Sequence, residues 1–296
     1  MTTASTRLLA LLGRPVAHSR SPAMMTGALA SLGLADAYSY LAFDVAPESL
    51  ASVIHALSAL GCAGANVTIP HKRAVLPLCV TVDDDARRIG AANVLSAVPG
   101  GFSAHNTDAP GAARALADAG VSLAGADVLV IGAGGAARAV AVGLAREGAR
   151  SITVLARDPH AAQQVVRACD GLGLRDGRVL AFADEEGALR AHRSADVLIQ
   201  CTPLGSAGRL DPTLEMEYAA MLRWVREGRA ERAAMDLVYA PVRTPWLEAA
   251  RACRARPIDG LGMLAHQGAL ALSRWCGVAA RPAVLRRFLD AGETDR

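Results

Sequence analysis

Lys72 is the only lysine in the chain, and the remaining thirty of its 31 basic residues are arginine. It stands in Gly-Ala-Asn-Val-Thr-Ile-Pro-His-Lys-Arg, residues 64–73. Asparagine is almost as rare: Asn66, Asn93 and Asn106 are the three in the chain, all near Lys72 in sequence. Arginine stays protonated in proteins, whereas lysine can release a proton in a suitable setting. A position that must exchange a proton therefore cannot be filled from this chain's usual arginine. The alternative is coding bias toward arginine, with one lysine surviving by chance. Asp108, in His-Asn-Thr-Asp (105–108), is a plausible carboxylate partner. It also precedes a helical pattern and could serve as that helix's N-cap, a role compatible with pairing.

A second chemistry-bearing stretch is Gly132-Ala133-Gly134-Gly135-Ala136-Ala137. It follows an apolar run, Val-Leu-Val-Ile, and opens a helical pattern, as a dinucleotide-binding turn requires. The first glycine makes the tight turn and the second admits a pyrophosphate. The small last residue, Ala137, lets helix pack on strand, and the helix N-terminus offers free N–H groups. At the end of the next strand an NAD site usually carries an acidic residue. Ala156 stands there and cannot act. Arg157 follows and suits the 2′-phosphate of NADP, while Asp158 could reach a ribose hydroxyl or cap the next helix. The balance favours NADP, with NAD possible.

These residues need elements to position them. Residues 8–13 read as a strand, 21–33 as a helix with Pro22 in its first turn, and 38–45 as a second strand. A helix from Pro47 to Leu60, a strand at 64–67 and a helix beginning near Pro70 follow. Such alternation predicts a parallel sheet. Residues 93–107 read as a hairpin, with turn residues at 98–101. Further strands are expected at 151–158, 195–200 and 233–238, and the last segment, from Leu261, is helical. The fold class is α/β: an N-terminal βαβ substrate domain (1–107), onto which helices 261–296 pack back, and a Rossmann-like doubly wound dinucleotide-binding domain (108–260).

Composition narrows the function classes. Net charge is +3 and the basic residues are scattered, which argues against nucleic acid as a partner. No stretch reaches the ~18 apolar residues of a membrane span, and the N-terminal apolar run is too short for a signal peptide. Six separated cysteines suggest neither a disulfide framework nor a metal site. The expectation is a cytoplasmic protein without a metal. His18, His71, His105 and His266 read as orienting or structural, and Met24, Met25 and Met263 as packing. The arginine-rich stretch 223–232 reads as a solvated helix face and exit loop.

Taken together, the motifs resemble the shikimate dehydrogenase family over nearly the whole chain. They run in order as Gly-Arg-Pro-Val-Ala-His-Ser-Arg-Ser-Pro (13–22), the Lys72 stretch, Gly-Ala-Ala-Asn (90–93) and Asn-Thr-Asp (106–108). The glycine turn, Thr-Pro-Leu-Gly (202–205), residues 236–247 and residues 259–269 follow. The resemblance implies that Lys72 and Asp108 form the catalytic pair. Ser19 and Ser21 would hold the carboxylate of a small hydroxy-acid substrate, Thr68, Asn93, Asp108 and Gln267 would bind its ring hydroxyls, and Asn66 and Tyr239 would line the site. Gly132, Gly134, Gly135, Ala136, Ala137, Arg157, Thr202, Leu237, Gly260 and Met263 would hold the dinucleotide. The implied activity is NADP-dependent interconversion of 3-dehydroshikimate and shikimate, in aromatic amino acid biosynthesis, by a monomer or homodimer. The ligands would lie in a cleft between domains.

The chain departs from the family pattern in four places. Met25-Thr26 replaces His-Asn, Val94 replaces threonine, Ala109 replaces glycine, and Ala156-Arg157-Asp158 replaces Asn-Arg-Thr. A specialised relative acting on quinate or aminoshikimate is one alternative reading. A folate-linked methylene dehydrogenase and a catalytically silent nucleotide-binding regulator are the others.

Overall fold

The computed structural model describes residues 3–206, 212–228 and 230–290. The chain divides into two compact units, Met1–Gly111 with Leu264–Arg296, and Ala112–Met263.

The first unit begins β1 (Arg7–Gly13), α1 (Ser21–Ser31), β2 (Tyr38–Asp44), α2 (Leu50–Ala59) and β3 (Gly64–Val67). It continues β4 (Thr81–Val82), α3 (Asp84–Ile89), β5 (Val94–Val98) and β6 (Gly101–His105), and α4 (Asp108–Asp118) leads out of it. Strand order is β2-β1-β3-β5-β6-β4. The expected parallel pairing holds for β1 with β2 and β3, but the β5–β6 hairpin enters antiparallel and makes the sheet mixed. The helix expected from Pro70 is absent. Residues 69–75 form turns that run into a single 3-10 turn, Leu76–Leu78. Pro77 explains this, since it lacks an N–H and its ring would meet the carbonyl four residues back. Lys72 therefore sits on a turn, between β3 and that 3-10 segment.

The second unit is wound from β7 (Asp127–Ile131), α5 (Gly135–Arg146), β8 (Ser151–Ala156), α6 (Pro159–Ala168) and β9 (Asp176–Ala181). Then come α7 (Glu185–Ser194), β10 (Val197–Gln200), α8 (Pro212–Arg226), β11 (Ala233–Asp236), α9 (Pro245–Ala252) and β12 (Arg256–Ile258). Every strand pair in it is parallel, in the order β12-β11-β10-β7-β8-β9. The chain winds outward from β7 in one direction and then in the other, so the strand order reverses beside β7. Such a switch point opens a crevice at the strands' carboxyl ends. Leu129, Ile131, Leu155 and Leu198 form the core with Trp224 and Trp246. Each tryptophan withdraws roughly 150–250 Å² from water, worth at most about 4–6 kcal/mol.

The stretch 223–232 is not a purely solvated face. Trp224 and Val225 are buried, and Arg232 is 1% exposed, donating to the carbonyls of His192 and Val225. Arg229 lies outside the described residues.

The last helices are α10 (Gly260–Cys276) and α11 (Pro282–Asp290). From Leu264 onward they belong to the first unit. Trp275 Nε1 donates to the Leu95 carbonyl at 2.8 Å, and a Cβ at Gly64 would fall 2.1 Å from that nitrogen. Only glycine on β3 admits the tryptophan. Phe288 of α11 sits against Gly27 of α1 in the same way. Residues 291–296 of the expected helical segment lie outside those described. Among the described residues, no helix is long and apolar enough to cross a membrane.

Candidate active site

Lys72 Nζ donates to Asp108 Oδ2 at 2.6 Å, with side chains 18% and 6% exposed. The partner oxygen of that carboxylate, Oδ1, accepts from Asn93 Nδ2 at 2.9 Å. Asn93 Nδ2 also lies 2.9 Å from Thr107 Oγ1 and 3.2 Å from Gln267 Oε1. Its Oδ1 accepts from Thr107 N–H at 2.7 Å. Asn66 donates to the Asn93 carbonyl at 3.2 Å and accepts from the Tyr40 hydroxyl at 2.7 Å. Gln267 is fixed at its other end by donation to Leu264 O. Residues from β2, β3, the Lys72 turn, α4 and α10 thus meet in one buried network.

The helix cap falls to a different residue from the one expected. Asn106 Oδ1 accepts from the N–H groups of Asp108 and Ala109, and its Nδ2 donates to Ala91 O. Asp108 is the first residue of α4, and its carboxylate is left for Lys72 and Asn93. The pairing role holds, and the capping role passes to Asn106.

Backbone bonds hold the Lys72 turn at both sides. Ala92 N–H donates to Lys72 O at 2.8 Å, and His71 N–H donates to Thr68 O at 2.8 Å. His71 is 1% exposed, with Nε2 2.8 Å from Val45 O, which makes it an anchor of the turn. His105 lies 2.7 Å from Asp83, the cap of α3. Burial would raise the Asp83 carboxyl, but the His105 and Ala86 hydrogen bonds, with the charges of His105 and Arg274, hold it below its usual range.

The other expected substrate residues stand apart from this hydrogen-bond network. Ser21 is buried at the start of α1, and Ser19 Oγ accepts its N–H at 3.2 Å. Thr68 is half-buried, tied through its N–H to Leu12 O. Tyr239 belongs to the second unit, half-buried in the loop after β11.

In the second unit a cavity of about 400 Å³ opens where β7, β8 and β10 end. Gly132, Ala133 and Gly134 line it, with Arg157, Asp158, Thr202, Leu204 and Glu217 among the facing residues. Gly132 has φ of +110°, which L side chains rarely adopt, and its Cβ would lie 3.1 Å from Thr202 Cγ2. Gly134 caps α5 with ordinary extended dihedrals, and a Cβ there would meet nothing within 4 Å. Ala137 is fully buried against the sheet. Gly135 and Ala136 form the first turn of α5.

Two buried side chains at neighbouring strand ends shape the loops beyond. Gln200, paired in register with Asp236, donates to Leu204 O at 2.8 Å and accepts from Thr202 Oγ1 at 2.8 Å. Asp236 accepts from Val238 N–H at 2.9 Å and from Thr244 Oγ1 at 2.6 Å, so it clasps the loop carrying Tyr239. Burial pushes the Asp236 carboxyl up to about 7, against the lowering pull of those two donors. Leu237 N–H is held by Gln200 O. A Cβ at Gly260 would fall 2.7 Å from Leu237 O, and Met263 is buried.

An ammonium on a buried carboxylate amid amide donors and acceptors can manage a proton at a substrate oxygen, and a glycine-lined cavity at a helix N-terminus leaves room for a phosphate. Comparison with known proteins agrees. Residues 11–95 match the family model described as shikimate dehydrogenase substrate binding domain, and residues 113–206 match shikimate / quinate 5-dehydrogenase. The chain is 42% identical to shikimate dehydrogenase (NADP(+)) of Moorella thermoacetica, over 97% of this chain and 93% of that one. The chain belongs to the shikimate dehydrogenase family.

Among solved members, the enzyme from Thermus thermophilus, in complex with NADP(H) and shikimate, is 36% identical with a TM-score of 0.80. Coverage is 97% of this chain and 99% of that one. The Listeria monocytogenes enzyme, in complex with shikimate and NAD, is 28% identical with a TM-score of 0.84, covering 97% and 98%. Against the family pattern, Met25 and Val94 are wholly buried, Ala109 nearly so, and Thr26 is exposed. Asp158 is taken up as the cap of α6, accepting from His160 and Ala161 N–H groups.

Sequence reasoning missed Thr107, Gln200, Asp236 and Glu217 as parts of these sites. Thr107 and Asp236 stood inside recognised motifs and were legible there. Gln200 and Glu217 had no local signal.

Proposed function

We propose that this protein catalyses the reversible NADP-dependent reduction of 3-dehydroshikimate to shikimate. The observation that carries the reading is the Lys72–Asp108 pair, joined through Asn93 to Gln267 in one buried network. A dinucleotide fits the second unit on the chain's own features: the open space beside Gly134, the positive φ of Gly132 and the free N-terminus of α5. Gly132, Gly134 and the first turn of α5 would hold the pyrophosphate, and Arg157 the 2′-phosphate. When bound, the nicotinamide supplies or accepts the hydride.

The remaining chemistry belongs to this chain's side chains. Lys72 stabilises negative charge on the substrate oxygen and gives it a proton in the reducing direction. In the oxidising direction it takes that proton back. Asp108 holds the ammonium in place and accepts from ring hydroxyls, while Asn93, Gln267, Asn66 and Thr68 can both accept from them and donate to them. Ser19 and Ser21 bind the carboxylate. Tyr239 is a further substrate residue by the family pattern. Leu237, Thr202, Gly260 and Met263 support the cofactor. A set of buried polar groups rejects analogues that leave one of them unpaired.

The test is a spectrophotometric panel with purified protein, crossing NADP and NAD with shikimate, quinate and aminoshikimate. Fast turnover of shikimate with NADP is expected. Preference for another acid would overturn the substrate assignment, and no turnover with any pair would overturn the activity.

A further inference from the structure

At the adenosine end of the cavity, Arg157 is not alone. Glu217, reaching in from α8, lines the same cavity, with Oε2 3.8 Å from Arg157 Nε. The Glu217 side chain is 18% exposed and that of Arg157 66%. The separation is too long for a hydrogen bond, so the carboxylate is near the guanidinium without being satisfied by it. An acidic residue in this region accepts from the ribose 2′-OH of NAD, and its usual place is the end of the second strand. Here that end is Ala156, and the nearby Asp158 is engaged as the cap of α6. Glu217 supplies a carboxylate to the cavity from a different element.

We infer that Glu217 is the residue that sets cofactor preference in this chain, accepting from the 2′-hydroxyl of NAD and opposing the 2′-phosphate of NADP. Arg157 favours the phosphate and Glu217 the free hydroxyl, so the site takes both cofactors. The inference rests on the reading of this cavity as a dinucleotide site. Charge gives the direction: the 2′-phosphate brings roughly −1.5 to −2 charges beside a half-buried carboxylate, whereas a hydroxyl donates to it.

The experiment is calorimetric titration of the full chain, without hydroxy acid, using NADP, NAD, adenosine 2′,5′-bisphosphate and AMP. Wild type is expected to bind NADP and NAD within about tenfold of each other. Glu217→Ala should raise the preference for NADP by about tenfold or more, through tighter NADP and weaker NAD, since a hydrogen bond to a charged acceptor is lost. Glu217→Gln, which keeps an acceptor, should tighten NADP while leaving NAD within about threefold. Arg157→Ala should move the preference the other way. The bisphosphate and AMP should follow the same pattern. Equal preference in wild type and Glu217→Ala, or a loss of NADP affinity showing that Glu217 only orients Arg157, would overturn the inference. Failure of wild type to bind any of the four would instead overturn the dinucleotide reading, and this inference with it.

Discussion

In the first unit the candidate site is made of side chains that hold one another. Lys72, Asp108, Asn93, Thr107 and Gln267 share hydrogen bonds, and Asn66 and Tyr40 join them through the Asn93 carbonyl. In the second unit the cavity sets a glycine turn, open at Gly134, against side chains such as Arg157, Leu204 and Glu217, with single polar residues clasping the loops behind it. The difference fits the ligands proposed for each. A small ring with several hydroxyls is told apart by fixed donors and acceptors. A pyrophosphate is a repeated, ubiquitous group that needs N–H groups and room. Damage should therefore spread through the first site and stay local in the second.

The largest effect expected is at Lys72. Lys72→Ala should lower kcat by about 10²–10⁴-fold, and Lys72→Arg should fail to restore it because arginine does not give up its proton. Steady-state turnover of shikimate with NADP measures this. Near-normal turnover in either variant would remove the proton-transfer role.

Next come two titrations in the second unit, which test whether its buried polar groups act singly. His192 is buried and pushed down to about 4, chiefly by desolvation and also by Arg232, against the Ala188 carbonyl contact. Its folded pKa lies below the ordinary one, so its stability contribution is full above about pH 6.5 and lost as pH falls toward 4. Asp236 is shifted upward to about 7, so its contribution is present near pH 3.8 and below and is lost as pH rises to about 7. They span about 3 kcal/mol for His192 and about 4 kcal/mol for Asp236, and over the shared window they oppose each other. Denaturant midpoints against pH should be nearly flat in this window for these two groups. Asp236→Asn should uncover a loss of stability on acidification. The same slope in wild type and variant would show that Asp236 does not titrate there.

Gly134→Val is a cleaner probe of the cavity, because the dihedrals suit any residue and nothing in the fold meets the new side chain. NADP affinity should fall about tenfold or more, with thermal stability and the KM for shikimate little changed. Unchanged NADP affinity would place the pyrophosphate elsewhere.

The smallest effect sharpens the contrast most. In a double-mutant cycle on shikimate binding, Asn93→Ala and Gln267→Ala should couple by about 1 kcal/mol, as members of one network do. Gly134→Val with Asn93→Ala should be additive. Additivity in both pairs would mean the first site is not a network.

Much of this was legible in the sequence, and the reasons are local. The strand–glycine–helix signal at 127–146 needs only neighbouring residues to be read, and β7 and α5 form there. The lone lysine and the three asparagines marked the polar site because residue type alone limits what a group can do with a proton. The helix expected at Pro70 fails for a local reason as well, since Pro77 interrupts any helix begun there. β4 and α3 have two and six residues, too short for a periodic pattern to announce them.

Residue chemistry by itself determined which groups could move a proton or cradle a phosphate. Tertiary structure decided the partners. Asn106 rather than Asp108 caps α4, Gln267 from α10 reaches Asn93 across 174 positions of chain, and Glu217 on α8 comes to face Arg157. Those pairings depend on how sheets twist and helices pack on them, and no spacing along the chain encodes which distant side chain will fill a given hydrogen bond.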